Sequence, residues 1–174
     1  MLEEDEERAA FIRGAFLAGG STTDPEKGFH LELATPHRSV SRETLSLLLD
    51  MGFEPREAVR GGNALLYFKR ADAIADFLTA VGAMNASMAV QTAKVEKEMR
   101  NTIARYKENG IEVVAVYPLG RKGLEAARKL GRQPQDFSQL LDRPAYAPSA
   151  EIAQQLMDQF ARGDIDRVEL IYHH

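Results

Sequence analysis

The chain has 174 residues, 44% of them hydrophobic, enough for a real core in one medium domain or two small ones. Its 22 basic and 26 acidic side chains leave a net charge of −4, so the whole molecule is no electrostatic magnet for nucleic acid. The absence of cysteine excludes disulfides, thiolate metal sites and cysteine nucleophiles, and no apolar stretch approaches the ~20 residues that a membrane span needs.

The acidic run Glu3-Glu4-Asp5-Glu6-Glu7 opens the chain; it suits the positive end of a helix and is not the basic start of a secretory signal. A helix is predicted from Glu6 to about Leu17, with Phe11, Ile12, Phe16 and Leu17 as its apolar stripe and Gly19-Gly20 as its stop. Asp24-Pro25-Glu26-Lys27-Gly28 has hairpin-turn chemistry, and residues 28–35 alternate as a half-buried strand. Ser41 is the expected N-cap of a helix through Asp50, with Leu45, Leu48 and Leu49 inward. Phe53 to Arg60, Gly61-Gly62-Asn63 and Ala64 to Lys69 read as strand, tight turn, strand. Two helices follow, Ala71 to Val81 and Met84 to about Asn109.

The character then changes. Ile111 to Tyr117 is a nearly continuous apolar run, the pattern of a strand buried on both faces of a parallel sheet. Gly120 to Leu130 becomes a helix, and residues 131–148 read mostly as loop with a short strand near Phe137 to Leu141. A helix from Ser149 to about Ala161 and a strand from Val168 to Tyr172 complete a fragment of doubly wound type. The terminal His173-His174 reads as the start of a purification tag.

Phe11-Ile12-Arg13-Gly14-Ala15-Phe16-Leu17-Ala18-Gly19-Gly20-Ser21 resembles a LAGLIDADG helix, and more closely the second such half of the WhiA regulators. Asp24 to Gly28, His30-Leu31-Glu32, Thr35-Pro36, Ile74 to Leu78 and Lys97 to Asn101 extend that resemblance over residues 8–101. Residues 105–172 look like the Rossmann-like part of the ATP synthase γ subunit, through Gly120-Arg121-Lys122-Gly123, Asp142-Arg143-Pro144 and Asp166 to Tyr172. The two resemblances imply an α/β chain. Residues 1–101 are expected to form a LAGLIDADG-like half-domain with a four-stranded antiparallel sheet, and residues 102–174 a partial Rossmann-like unit with a parallel sheet.

In LAGLIDADG nucleases an acid near the helix end binds the divalent metal that activates water. The resemblance sets Gly19 at that position, and Asp24 lies beyond the expected hairpin start, so no catalytic residue and no metal or other cofactor is expected. His30 and His37 have poor metal-binding spacing, and Gly120-Arg121-Lys122-Gly123 lacks both nucleotide-binding spacings, leaving a strand-to-helix turn and no evident small-molecule substrate. Gly14 and Ala18 stand four residues apart, where small side chains let two helices approach. The family packs this helix on its counterpart, which makes Gly14, Ala15 and Ala18 the expected homodimer interface; the alternative is that the rest of the chain covers this face. The resemblance also implies a DNA-facing sheet. Its candidate groups are His30, Arg56, Arg60, Lys69 and Arg70, diluted by Glu32, Glu54 and Glu57.

With both parents incomplete, the reading is a non-catalytic engineered chimera joined between Asn101 and Lys107. The alternative is a non-cleaving DNA-binding module of a WhiA-like transcription regulator, and the second alternative an ATP synthase γ-like assembly fragment. Both parent families imply a cytoplasmic location without membrane contact.

Overall fold

A computed structural model describes residues 2–131, 136–137, 140 and 145–170. Its backbone divides into two units, Met1–Lys94 and Val95–His174.

The first unit opens with α1 (Leu2–Gly19), which takes up the acidic run as its first turns. Ile12, fully buried, and the partly buried Phe16 turn to the core. Strands β1 (Gly20–Thr22) and β2 (Leu31–Thr35) pair antiparallel. Asp24 organises the connection: its Oδ1 accepts from the Glu26 N–H at 3.1 Å, and its carbonyl accepts from Lys27 and Gly28. Helix α2 (Arg38–Asp50) begins before the expected cap. Its N-cap is His37, whose N–H donates to Thr35 Oγ1 at 3.2 Å, and Ser41 is buried inside the first turn. Strands β3 (Arg56–Arg60) and β4 (Asn63–Phe68) meet through Gly61 and Gly62 at φ 58° and 86°. A two-residue hairpin that follows the strand twist demands such positive angles, which glycine adopts without Cβ strain.

The sheet runs β1-β2-β4-β3, antiparallel throughout. Alternation sends Leu31, Leu33, Leu66 and Phe68 to one side. Helices α1, α2, α3 (Ala71–Ala80) and α4 (Met84–Glu108) cover that side with Ile12, Leu48, Ile74, Phe77, Leu78 and Val90. Phe77 is the hub. Its ring meets those of Phe16, Phe53 and Phe68 at 5.7, 6.1 and 5.7 Å, and burying a side chain of this size contributes about 1.5–3 kcal/mol. Ser87, a polar group 1% exposed, is satisfied: its hydroxyl donates to Ala75 O at 2.8 Å and accepts from Gln91 Nε2 at 3.2 Å.

In the second unit α5 (Arg121–Lys129) buries Leu124, Ala126 and Ala127, whereas α6 (Tyr146–Ala161) buries no residue. Gly120 enters α5 at φ 90°, and a Cβ on Gly123 would lie 3.2 Å from Pro118 Cβ, so this glycine pair makes a tight turn into the helix. The mixed α/β class is as expected, but the Rossmann-like parallel sheet is not found among the described residues. Ile111–Tyr117 and Val168–Leu170 lie outside any strand, and among the described residues every strand belongs to the first unit. An apolar run becomes a buried strand only where neighbouring strands and a helical layer receive it; here Val114 and Leu170 remain 58% and 75% exposed. The strand expected near Phe137–Leu141 falls largely outside the described residues, as do Tyr172, His173 and His174. No described helix is long and apolar enough to cross a membrane.

Candidate nucleic-acid interface

The register of the sheet determines which charges share the face that points away from the core. Glu32 of β2 lies opposite Tyr67 of β4, which lies opposite Arg56 of β3; Ala34, Leu65 and Ala58 form the next row, and Arg60 follows on β3. All lie on the side away from Leu31, Leu33, Leu66 and Phe68. Leu65, between the two alanines, is buried in the middle of this face. Glu57 pairs with Leu66 and therefore lies on the opposite side, so it does not dilute the charge here.

A polar row crosses the face. Arg60 Nη2 donates to Glu32 Oε1 at 2.6 Å, and Glu32 Oε2 lies 3.0 Å from His30 Nε2. The His30 ring is 5.7 Å from the Tyr67 ring, and Lys69 Nζ stands 5.6 Å above the Tyr67 centroid. The Glu32 side chain is only 13% exposed, whereas that of Arg60 is 68% exposed. The bond from His30, then the bond and charge of Arg60, hold the Glu32 carboxyl below its ordinary value against the opposing effect of burial. Arg56 is exposed on the same face. Arg70 is instead the N-cap of α3, at the entry to the covering helices. Composition counts Glu32 against the basic groups, whereas the geometry makes it the link between two of them. Tyr67 escapes a search for charges, although its alternation with Leu66 and Phe68 already places it on this face.

Helix α1 divides its sides cleanly. Ile12 and Phe16 enter the core, while Gly14 and Ala18 are exposed and Ala15 is half-buried. A Cβ built on Gly14 meets nothing within 4 Å, and the flanking Phe11 and Leu17 are 42% and 80% exposed. Nothing described in the chain closes over Gly14.

The end of α1 is shut. A Cβ on Gly19 would stand 2.2 Å from Ala34 O, and one on Gly20 would stand 2.2 Å from Phe16 Cδ2. Gly19 is therefore closed to every side chain unless the backbone of β2 moves. Asp24 is committed to its turn. Among the described residues no three His, Asp or Glu side chains are grouped to hold a metal ion.

Comparison with known proteins places this geometry in a family. Residues 8–100 match the model of the WhiA LAGLIDADG-like domain. The probable cell division protein WhiA of Alkaliphilus metalliredigens is 40% identical over 98 residues, which is 56% of this chain and 31% of that protein. The same protein from Leuconostoc citreum is 37% identical over 107 residues, 60% of this chain and 34% of its own. The chain thus spans about a third of the length of these curated relatives. Among solved structures, full-length DUF199/WhiA from Thermatoga maritima aligns with a TM-score of 0.48 at 25% identity, covering 59% of this chain and 38% of that one. The N-terminal LAGLIDADG domain of DUF199/WhiA aligns with a TM-score of 0.41 at 32% identity, covering 43% of this chain and 41% of that one. The family and sequence matches give no sign of an ATP synthase γ part or of an engineered chimera, and they overturn that expectation. Among the described residues, the strands expected at 111–117 and 168–170, on which the γ resemblance depended, are not formed.

Proposed function

The chain belongs to the WhiA LAGLIDADG-like family through residues 8–100, and from that premise we propose that it is a non-cleaving DNA-binding module of a WhiA-like regulator. The observation that carries this reading is the face of the sheet that points away from the helical core. Helices occupy one side, and the other carries Arg56, Arg60, His30, Tyr67 and Lys69 on a frame of paired strands. Cations and an aromatic ring on a rigid surface suit contact with a phosphate-lined duplex, even in a protein whose net charge is negative. The closed position at Gly19 supports binding without hydrolysis, since the side chain that would bring a metal to the helix end has no room.

A second copy of the chain fits the same reading. The open surface at Gly14 and Ala18, flanked by Phe11 and Leu17, supports a two-fold contact of α1 with its counterpart, which would set two sheets side by side.

Titration of a labelled duplex with the full chain over a range of salt concentrations tests the reading. The expected result is binding whose log affinity falls linearly with log salt. Absence of binding at low salt would overturn it.

A further inference from the structure

The cations on the sheet face are not equivalent. Lys69 is exposed and its charge is not matched by a carboxylate in any ion pair of the described face. Arg60 sits 2.6 Å from Glu32, so its formal charge is cancelled locally while four of its five N–H donors remain outside that bond. A neutralised guanidinium adds little to counterion release, which scales with the charge delivered to phosphates. It keeps its planar fork of donors, and a carboxylate that fixes the fork removes much of the rotamer entropy that binding would otherwise cost.

Glu32 is suited to that task. It stands on the central part of the sheet, is largely buried, and is gripped on its other oxygen by His30. Its position is fixed by pairing with Tyr67 across β2 and β4. Arg60, by contrast, ends β3 beside the Gly61-Gly62 turn and is mostly exposed. The arrangement is an exposed fork on a rigid, buried support.

We infer that Arg60, positioned by Glu32, reads the edges of bases in double-stranded DNA, with guanine as the acceptor whose paired O6 and N7 fit the fork, while Lys69 serves the phosphates. The inference rests on the DNA-binding reading above and goes beyond it by separating the residue that specifies from the residue that anchors.

The test begins by selecting duplexes from a random pool with the full chain, then measuring the enriched duplex and a scrambled duplex against salt for wild type, Arg60→Lys, Glu32→Gln and Lys69→Ala. The expected result for Arg60→Lys is a loss of discrimination between the two duplexes of roughly ten-fold with an unchanged salt slope, and for Glu32→Gln the same loss of discrimination with a steeper slope, because the Arg60 charge is no longer offset. Lys69→Ala is expected to weaken both duplexes alike and to lower the slope by about 0.9. Replacing guanine by 7-deazaguanine in the enriched duplex should reproduce the Arg60→Lys loss in the wild type and add nothing in the variant. A wild type that binds, but whose Arg60→Lys variant loses slope and keeps its discrimination, overturns the inference and leaves the DNA-binding reading intact. So does Glu32→Gln keeping the full discrimination of the wild type, the outcome expected of an acid that merely repels phosphate. A wild type that binds neither duplex overturns both readings. Circular dichroism of each variant separates a lost contact from a lost fold.

Discussion

Arg13 Nε donates to the carbonyl of Val81 at 2.8 Å, tying the middle of α1 to the residue that caps the end of α3. The contact joins segments 68 residues apart and places a cation where the α3 dipole is negative. A Cβ on the neighbouring Gly82 would lie 3.3 Å from Arg13 Nη2, so the guanidinium also fills the space beside the turn. Arg13→Ala should lower unfolding stability by about 1 kcal/mol, as expected for a partly exposed charged hydrogen bond. Urea denaturation would show this as a lower midpoint with an unchanged slope.

Gly19→Asp restores the residue type of a LAGLIDADG nuclease, yet the geometry predicts harm without activity. The new Cβ would fall 2.2 Å from Ala34 O, so β2 must shift or α1 unwind at its end. A loss of about 2 kcal/mol or more is expected, by analogy with other steric insertions. Thermal unfolding checks the loss, and incubation of supercoiled plasmid with magnesium checks for cleavage, which should not appear.

Gly14→Leu separates the two sides of α1. The position is open within the protomer, and leucine exceeds glycine in helix propensity by somewhat under 1 kcal/mol, so the folded monomer should be at least as stable as wild type. Multi-angle light scattering at several concentrations should give a dimer for wild type and a monomer for the variant. A wild-type monomer at every concentration would remove the two-fold contact from the proposed function.

The pH response of the sheet face follows from Glu32. Its folded pKa is lowered by His30 and Arg60, so the carboxylate contributes stability that is fully present above its ordinary, unfolded value. That contribution is lost as pH falls through the lowered folded value. The stability difference between wild type and Glu32→Gln should therefore be constant near neutrality and shrink in the acidic carboxylate range. Paired urea titrations over that range measure it; a difference that grows on acidification would contradict the assigned sign.

Much of the first unit was legible in the sequence because its signals are local. Alternation at Leu31 and Leu33, the Gly61-Gly62 turn and the stripe of α3 each specify an element without knowledge of distant residues. Ser41 misled because capping preference is local but weak, and α2 instead begins at His37, whose N–H is taken by Thr35. Ile111–Tyr117 misled for the opposite reason. A doubly buried strand depends on partners elsewhere in the chain, and an apolar run records only the readiness to pair. The sheet face was legible as a set of residues but not as an arrangement. Counting Glu32 as one negative charge cannot reveal that it holds Arg60 on one oxygen and His30 on the other.

The contact at Gly19 also governs what this sequence can become. Every residue except glycine carries a Cβ, so no single codon change at position 19 supplies a side chain without collision with Ala34 O. Recovery of an acid there requires a coordinated shift in the path of β2, and β2 is held on both sides by β1 and β4. Variants that move only one partner pass through a less stable intermediate. The closed helix end thus acts as a latch: no single substitution brings an acid to position 19 without moving β2.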